Sequence, residues 1–420
     1  MEYPGFMQLL GEIPERDEAW KELFAGLLVV RLAYAAFHDM EAGPEGLRVV
    51  RQAIRCVGDL REVRRFGRMV AAAGATARDW SANDILSGML MSYVVLLHER
   101  GHLPAVVDAC SALIESPIDD IAIRLSATQR RAFAFRDAGQ YDKAEADYRA
   151  LGETSRLMRD HRMRRRADLG LAKVMGERGN IQAAAPMFTA IRDEAEQAGD
   201  VELLGLALLD LAVIAGIQKD YRGVVTYSRQ ALEHITDGWQ RERCYVNIAA
   251  ASRDMGDTVA ASQYAALVRE TGINADIRAR AGVILYQVAI DTQNDNARDA
   301  AREWLESATL PPRVECEFRE TVAYERATDG AFGEAISAVQ AMLDIAEGHR
   351  IAEMVIRADA ALVHLRRRRV PPLYVAEVRS ATAWEPRRGR ALLRLSVRHA
   401  QAAAENIAAG ARLVLAGAGD

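Results

Sequence analysis

Over most of its length the chain places apolar and small residues three and four positions apart, the period of a helix with one buried face. Stretches such as RRAFAFRDAG, GLAKVMGERG and NIAAASRDMG follow this pattern and stop at glycine, which predicts helices that end there. The pattern resumes after each stop. The segments RDAGQYDKAEADYRAL (136–151), ERGNIQAAAPMFTAI (177–191), QKDYRGVVTYSRQAL (218–232), DMGDTVAASQYAALV (254–268) and TDGAFGEAISAVQAM (328–342) share one layout. Each has a polar turn, an apolar or small residue two positions on, a small residue three further, and then an aromatic or small residue. The turns anchor at Gly139, Gly179, Lys219, Gly256, about Asp295, and Gly330, roughly 35–40 residues apart. Seven positions before five of them lies an alanine, at Ala132, Ala172, Ala212, Ala249 and Ala323, where a second helix can approach closely. A pair of helices repeated at this spacing predicts a stacked array.

The layout resembles the tetratricopeptide repeat, a helix–turn–helix unit of about 34 residues. Gly139-Gln140-Tyr141-Asp142-Lys143-Ala144 with Tyr148, and Phe332 with Ala335, carry the resemblance most clearly, and it covers roughly residues 81–345. The family's closing proline is absent from these repeats, its first-helix tryptophan is not where expected, and the period is longer. Long-period arrays of this kind are similar to the sensory arrays of bacterial regulators, peptide-pheromone receptors among them. The resemblance implies an all-α, right-handed superhelical solenoid of about seven antiparallel helix pairs, with a concave groove lined by the first helix of each pair.

Residues 1–80 and 346–420 keep the pattern poorly, as the ends of a solenoid commonly do. The N-terminal region reads as two long helices, 17–39 and 45–74, separated by Ala42-Gly43-Pro44, and the C-terminal region as helices near 350–368, 371–383 and 387–415.

Composition narrows the function. The 420 residues are 50% hydrophobic, 27% charged and 6% aromatic, and the formal net charge is −5, which gives no global positive field for nucleic acid. Cys56, Cys110, Cys244 and Cys316 form no C-x-x-C pair, so neither a disulfide framework nor a thiolate zinc site is expected, and a reducing cytoplasm suits them. The N-terminal residues lack the basic and apolar regions of a signal peptide, and the most apolar stretch, 201–216, carries Glu202 and Asp210 and is too short to span a bilayer. No GxxxxGK[ST], GxGxxG or GxSxG pattern occurs, and no cofactor is called for.

One motif argues for catalysis. His98-Glu99-Arg100-Gly101-His102 fits H-E-x-x-H, the pattern that places two zinc ligands on one face of a continuous helix. Gly101 falls 38 residues before Gly139, however, where the array expects a turn, and Pro104 follows. The helix is therefore expected to stop inside the motif. The longer pattern with a third histidine also fails.

Arginines cluster at 162 and 164–166, at 366–369 beside Val370-Pro371-Pro372, and at 387, 388 and 390. They offer a surface for phosphate or an acidic partner, or simply a solvated helix face. The family's inward positions, carried over one residue at a time, fall on Gln129, Phe133 and Arg136, with Arg130 beside them, then on Arg166, Leu169 and Lys173. Asp210, Arg243, Asn247, Arg253, Glu320 and Tyr324 lie in or near such positions further along. An asparagine there can pair both the N–H and C=O of an extended peptide, and arginines can hold a carboxylate in a fork. The expectation is a non-catalytic cytoplasmic scaffold or sensor for a protein or peptide, with a basic middle to its groove that suits an acidic segment or a C-terminal carboxylate. A zinc peptidase using His98 and His102, and a nucleic-acid-associated regulator acting through the arginine patches, are the alternatives.

Overall fold

The computed structural model describes residues 2–40, 43–76, 82–349 and 351–371. All regular structure among them is α-helical. The chain forms two compact units, one ending at Arg178 and one beginning at Gly179. The first holds α1 (Pro4–Glu12), α2 (Glu18–Phe37), α3 (Pro44–Arg55), α4 (Leu60–Thr76), α5 (Ala82–Glu99), α6 (Leu103–Glu115), α7 (Ile121–Asp137), α8 (Tyr141–Leu157) and α9 (His161–Glu177). The second holds α10 (Ile181–Ala198), α11 (Val201–Ile217), α12 (Tyr221–His234), α13 (Gly238–Asp254), α14 (Thr258–Thr271), α15 (Ala275–Asp291), α16 (Asp295–Ser307), α17 (Pro312–Thr328), α18 (Phe332–Gly348) and α19 (Ala352–Arg366).

Two sets of local signals impose the repeat. At the turn after each first helix one residue adopts the left-handed conformation, with φ between 51° and 84°: Gly101, Gly139, Gly179, Lys219, Gly256, Gln293, Gly330 and Arg368. Glycine is favoured there because a Cβ costs roughly 1–2 kcal/mol in that region. The turn expected near Asp295 is centred two residues earlier, on Gln293, because Asn294 caps α16 by accepting from Ala297 N–H. The intervals from Gly256 to Gln293 and on to Gly330 are then 37 residues each. At the other end of the first helices, Asp120, Asp160, Asp200, Asp237 and Asn274 accept hydrogen bonds from first-turn N–H groups. Their spacing, 40, 40, 37 and 37 residues, follows the turns.

Helix length explains the long period. The first helices α7, α9, α11, α13, α15 and α17 all have 17 residues. The second helices vary from 13 residues in α16 to 18 in α10, so the interval between turns varies with them. Several arginines serve these joints. Arg124 donates to the Ile118 carbonyl at 2.9 Å in the connection after α6, and Arg241 to the Leu232 and Ile235 carbonyls at 2.8 Å each, where α12 ends, satisfying backbone acceptors.

The alanines expected at the close approaches, Ala132, Ala172, Ala212, Ala249 and Ala323, are all buried. In the repeat turning at Gln293 the same position is Tyr286, fully enclosed, with its hydroxyl donating to Glu325 Oε2 at 2.6 Å. Arg298 and Arg302 occupy the two positions on α16 where other second helices bury residues such as Ala144 and Tyr148. Both arginines reach Glu325, at 3.1 and 3.6 Å. One repeat thus replaces an apolar joint with a buried polar one.

The N-terminal region differs from the expectation in two ways. Residues 45–74 form two helices because Cys56 to Asp59 leave the helix: Gly58 N–H bonds to the Glu18 carboxylate, and Asp59 accepts from Arg61 N–H at 2.7 Å to start α4. An additional helix, α1, packs on α6, where the buried carboxylate of Asp108 accepts from Phe6 N–H at 2.8 Å. At the other end α19 matches the helix expected near 350–368, while those near 371–383 and 387–415 lie outside the described residues.

Candidate functional site

Successive first helices within a unit pack against each other as well as against the second helices, so their remaining faces form one surface in each unit. In the first unit Phe133 on α7 is the centre of this surface. Its ring lies 4.7 Å from the His98 ring on α5, and the Arg136 guanidinium sits 4.3 Å above it. Arg136 is buried and meets Asp137 at 2.8 Å and Glu177 of α9 at 3.4 Å. Burial, with Arg130 and Arg136 nearby, lowers the His98 pKa and favours the neutral ring, whose Nδ1 is enclosed without a hydrogen-bond partner. Gln129 and Arg130 on α7, and Arg166 and Lys173 on α9, are half-buried on these same helices.

In the second unit the side chains of α13, α15 and α17 join across helices. Arg253 donates to Asp291 at 2.7 Å and to Gln287 at 3.2 Å, and Gln287 donates to the Thr321 hydroxyl at 3.1 Å. Burial and the neighbouring Asp291 raise the Asp254 pKa, while Arg253 opposes them. Four residues before Asn247 on α13, Arg243 lies with its guanidinium 5.2 Å from the centre of the Trp239 ring. Among the described residues neither Arg243 nor Asn247 has a side-chain hydrogen-bond or ion-pair partner. Tyr324 is half-buried on α17, and Asp210 is buried on α11.

Glu320 occupies a different role from the one expected of an inward polar residue. It is buried and forms a two-point pair with Arg357 of α19, whose Nε donates to Oε1 at 3.1 Å. Nor is the surface of either unit uniformly basic, since in the first Arg136 faces Asp137 and Glu177, and in the second Arg253 faces Asp254 and Asp291. On α13 Arg243 is left available, stacked on an aromatic ring in place of a carboxylate. Gln287, Thr321, Asp291 and Arg357 were not among the residues singled out by sequence. They lie on neighbouring helices about one repeat away, so a recurring polar position at the repeat interval was the signal that could have found them.

The H-E-x-x-H stretch is a repeat turn. Helix α5 ends at Glu99, Gly101 is left-handed at φ 74°, and His102 is the residue before α6. The two histidines therefore belong to different helices, without the shared face that a helical metal motif requires. Among the described residues no group of three His, Cys, Asp or Glu side chains is placed to hold a metal ion. Arginines 366–369 form the end of α19 and its left-handed turn, where cations complement the helix dipole, and those at 387, 388 and 390 lie outside the described residues. No described helix is long and apolar enough to cross a membrane.

No protein-family model and no curated protein sequence matches the chain. Among solved structures it is similar to the Rap conjugation gene regulator of the plasmid pLS20 in complex with the Phr* peptide, with 11% identity, a TM-score of 0.54, and coverage of 79% of this chain and 97% of that one. A Rap protein complexed with competence and sporulation factor is also similar, at 11% identity and a TM-score of 0.43, covering 84% and 98% of the two chains. With the helix-pair repeat described above, the first of these likenesses shows an all-α, tetratricopeptide-like solenoid fold.

Proposed function

We propose that this chain is a non-catalytic scaffold or sensor that holds an extended peptide, or a peptide-like segment of a protein, on the first-helix surface of its second unit. The observation that carries the reading is on α13. Arg243 and Asn247 lie one helical turn apart on the same face, and among the described residues neither has a side-chain hydrogen-bond or ion-pair partner. The Asn247 amide supplies the donor and acceptor that an extended backbone needs, and the guanidinium, steadied by Trp239, supplies a fork for a carboxylate. Thr321, Gln287 and Arg253 hold the adjoining helices in register. The structural likeness to a regulator whose structure is in complex with a peptide supports the same reading. A cytoplasmic location and a role in regulation fit it.

A pool of short synthetic peptides with free C-termini, passed over the immobilised protein and read by mass spectrometry, tests the proposal. Enrichment of defined sequences that is lost with Asn247→Ala and with Arg243→Ala is expected. If both variants retain the same peptides as the parent chain, the α13 site is wrong.

A further inference from the structure

A second surface stands apart from the first helices of the array. Helices α3 and α4 diverge around a groove of about 560 Å³. Its apolar lining comes from Leu47 and Ile54 on α3 and Val63 and Val70 on α4. Along the α4 side run Gly67, Ala71, Gly74 and Ala75, and a Cβ built on either glycine would meet no atom within 4 Å. The wall is open. It is low enough for another backbone to come close.

Arg51 and Arg55 line this groove, and Arg48, Arg61, Arg64 and Arg68 are exposed on the same two helices. The acidic residues of the same segment are already engaged: Glu45 pairs with Arg48 at 3.5 Å, Asp59 caps α4, and Glu62 is buried against Arg65 and Arg100. Among the described residues no carboxylate pairs with Arg51, Arg55, Arg61, Arg64 or Arg68. An excess of positive charge is thus concentrated on the two helices that form an apolar groove, in a chain whose formal net charge is −5.

We infer that the α3–α4 groove docks an amphipathic helix of a partner protein, with a small apolar ridge that enters the groove and acidic flanks that meet these arginines. A helix fits because ridges of side chains pack into the groove between two other helices. The apolar lining favours a protein ridge over a phosphate backbone, and the unpaired arginines select acidic flanks and make the contact salt-sensitive. This surface is built from residues other than those proposed for peptide binding on α13, so the two readings fail separately.

The test uses the full chain and fluorescence anisotropy with labelled probes. The first probe is a helix-forming peptide of about 20 residues, with Ala and Leu along one face and Glu on its flanks. The second carries Lys in place of Glu, the third is a scramble of the first, and the fourth is a short DNA duplex. Saturable binding of the Glu-flanked helix alone is expected. Its affinity should fall by at least about tenfold in R51E/R55E/R64E and lose its salt dependence. Gly74→Leu should weaken it comparably by filling the groove, and that variant should fold normally, because the site is open and leucine favours helix over glycine. Equal binding of the scramble, preference for DNA, or unchanged affinity in Gly74→Leu would overturn the proposal. So would absence of binding by the first probe, or self-association of the chain through the same arginines.

Discussion

Replacing Glu325 with alanine should destabilise the second unit by about 3 kcal/mol. The carboxylate is buried, accepts from the Tyr286 hydroxyl at 2.6 Å, and faces Arg298 at 3.1 Å and Arg302 at 3.6 Å. Removing one member of a buried ion pair commonly costs about 3–5 kcal/mol. The cost here is lower for the arginines, because their side chains are 29% and 28% exposed and keep Asp295 at 3.0 Å and Glu306 at 2.9 Å. The enclosed Tyr286 hydroxyl has no such outlet, and leaving it unpaired adds roughly 1–3 kcal/mol. Tyr286→Phe, which removes only the hydroxyl, should cost about 1–2 kcal/mol. Substituting the whole group as Y286F/R298A/R302A/E325L restores an apolar joint and should return stability to within about 2 kcal/mol of the parent, because a buried ion group and a packed apolar one are often nearly equivalent. Urea unfolding, with hydrogen exchange to locate the loss, measures all three. A cost for Glu325→Ala below about 0.5 kcal/mol, or exchange that accelerates first in α5 to α9, would refute the reasoning.

The turns and the N-terminal helix give further tests. Gly139→Ala should cost about 1–2 kcal/mol by forcing a Cβ into the left-handed region, whereas Lys219→Gly should be neutral or gain up to about 1 kcal/mol, both read by thermal unfolding. Burial pushes the Asp108 carboxyl up to about 6 from its ordinary 3.8, against the lowering effect of the Phe6 and Gly5 amides. A raised pKa contributes folding stability that is full below pH 3.8 and is lost as pH rises to about 6, so the folded chain should lose on the order of 2 kcal/mol across that interval. Trp20, whose indole N–H donates to the Leu10 carbonyl at 3.1 Å, provides a fluorescence reporter, and Asp108→Asn should flatten the profile.

The repeat was legible because its markers are local. Glycines at 101, 139, 179, 256 and 330 announce left-handed turns, and the buried alanines announce close approach. The turn at Gln293 was placed two residues late because neither marker is present: glutamine takes the left-handed position, and Tyr286 takes the place of alanine. Helix α1 escaped notice because it is only 9 residues long, and what fixes it is Asp108, 102 residues from Phe6 in sequence. The same limit applies to the candidate site. Individual residues such as Arg243, Asn247 and Arg253 could be placed on a face by carrying over the inward positions of the family that the repeats resemble. The Arg253 partners Asp291 and Gln287, and Thr321 beyond them, depend on how one repeat sits on the next. Glu320 shows the consequence, since the inward positions of the family that the repeats resemble placed it facing a ligand and packing commits it to Arg357.

The central claim is that the ligand meets the first-helix surface at α13. A photo-crosslinking amino acid substituted for Ala250, which follows Asn247 by three residues on that helix, tests it most directly. The control places the same group at Val259, which is exposed on the second helix α14. Irradiation in the native cell should give a defined peptide or protein adduct from position 250, absent when Asn247 is also alanine, and none from position 259. An adduct from position 259 alone, or one at position 250 that survives Asn247→Ala, would contradict the account.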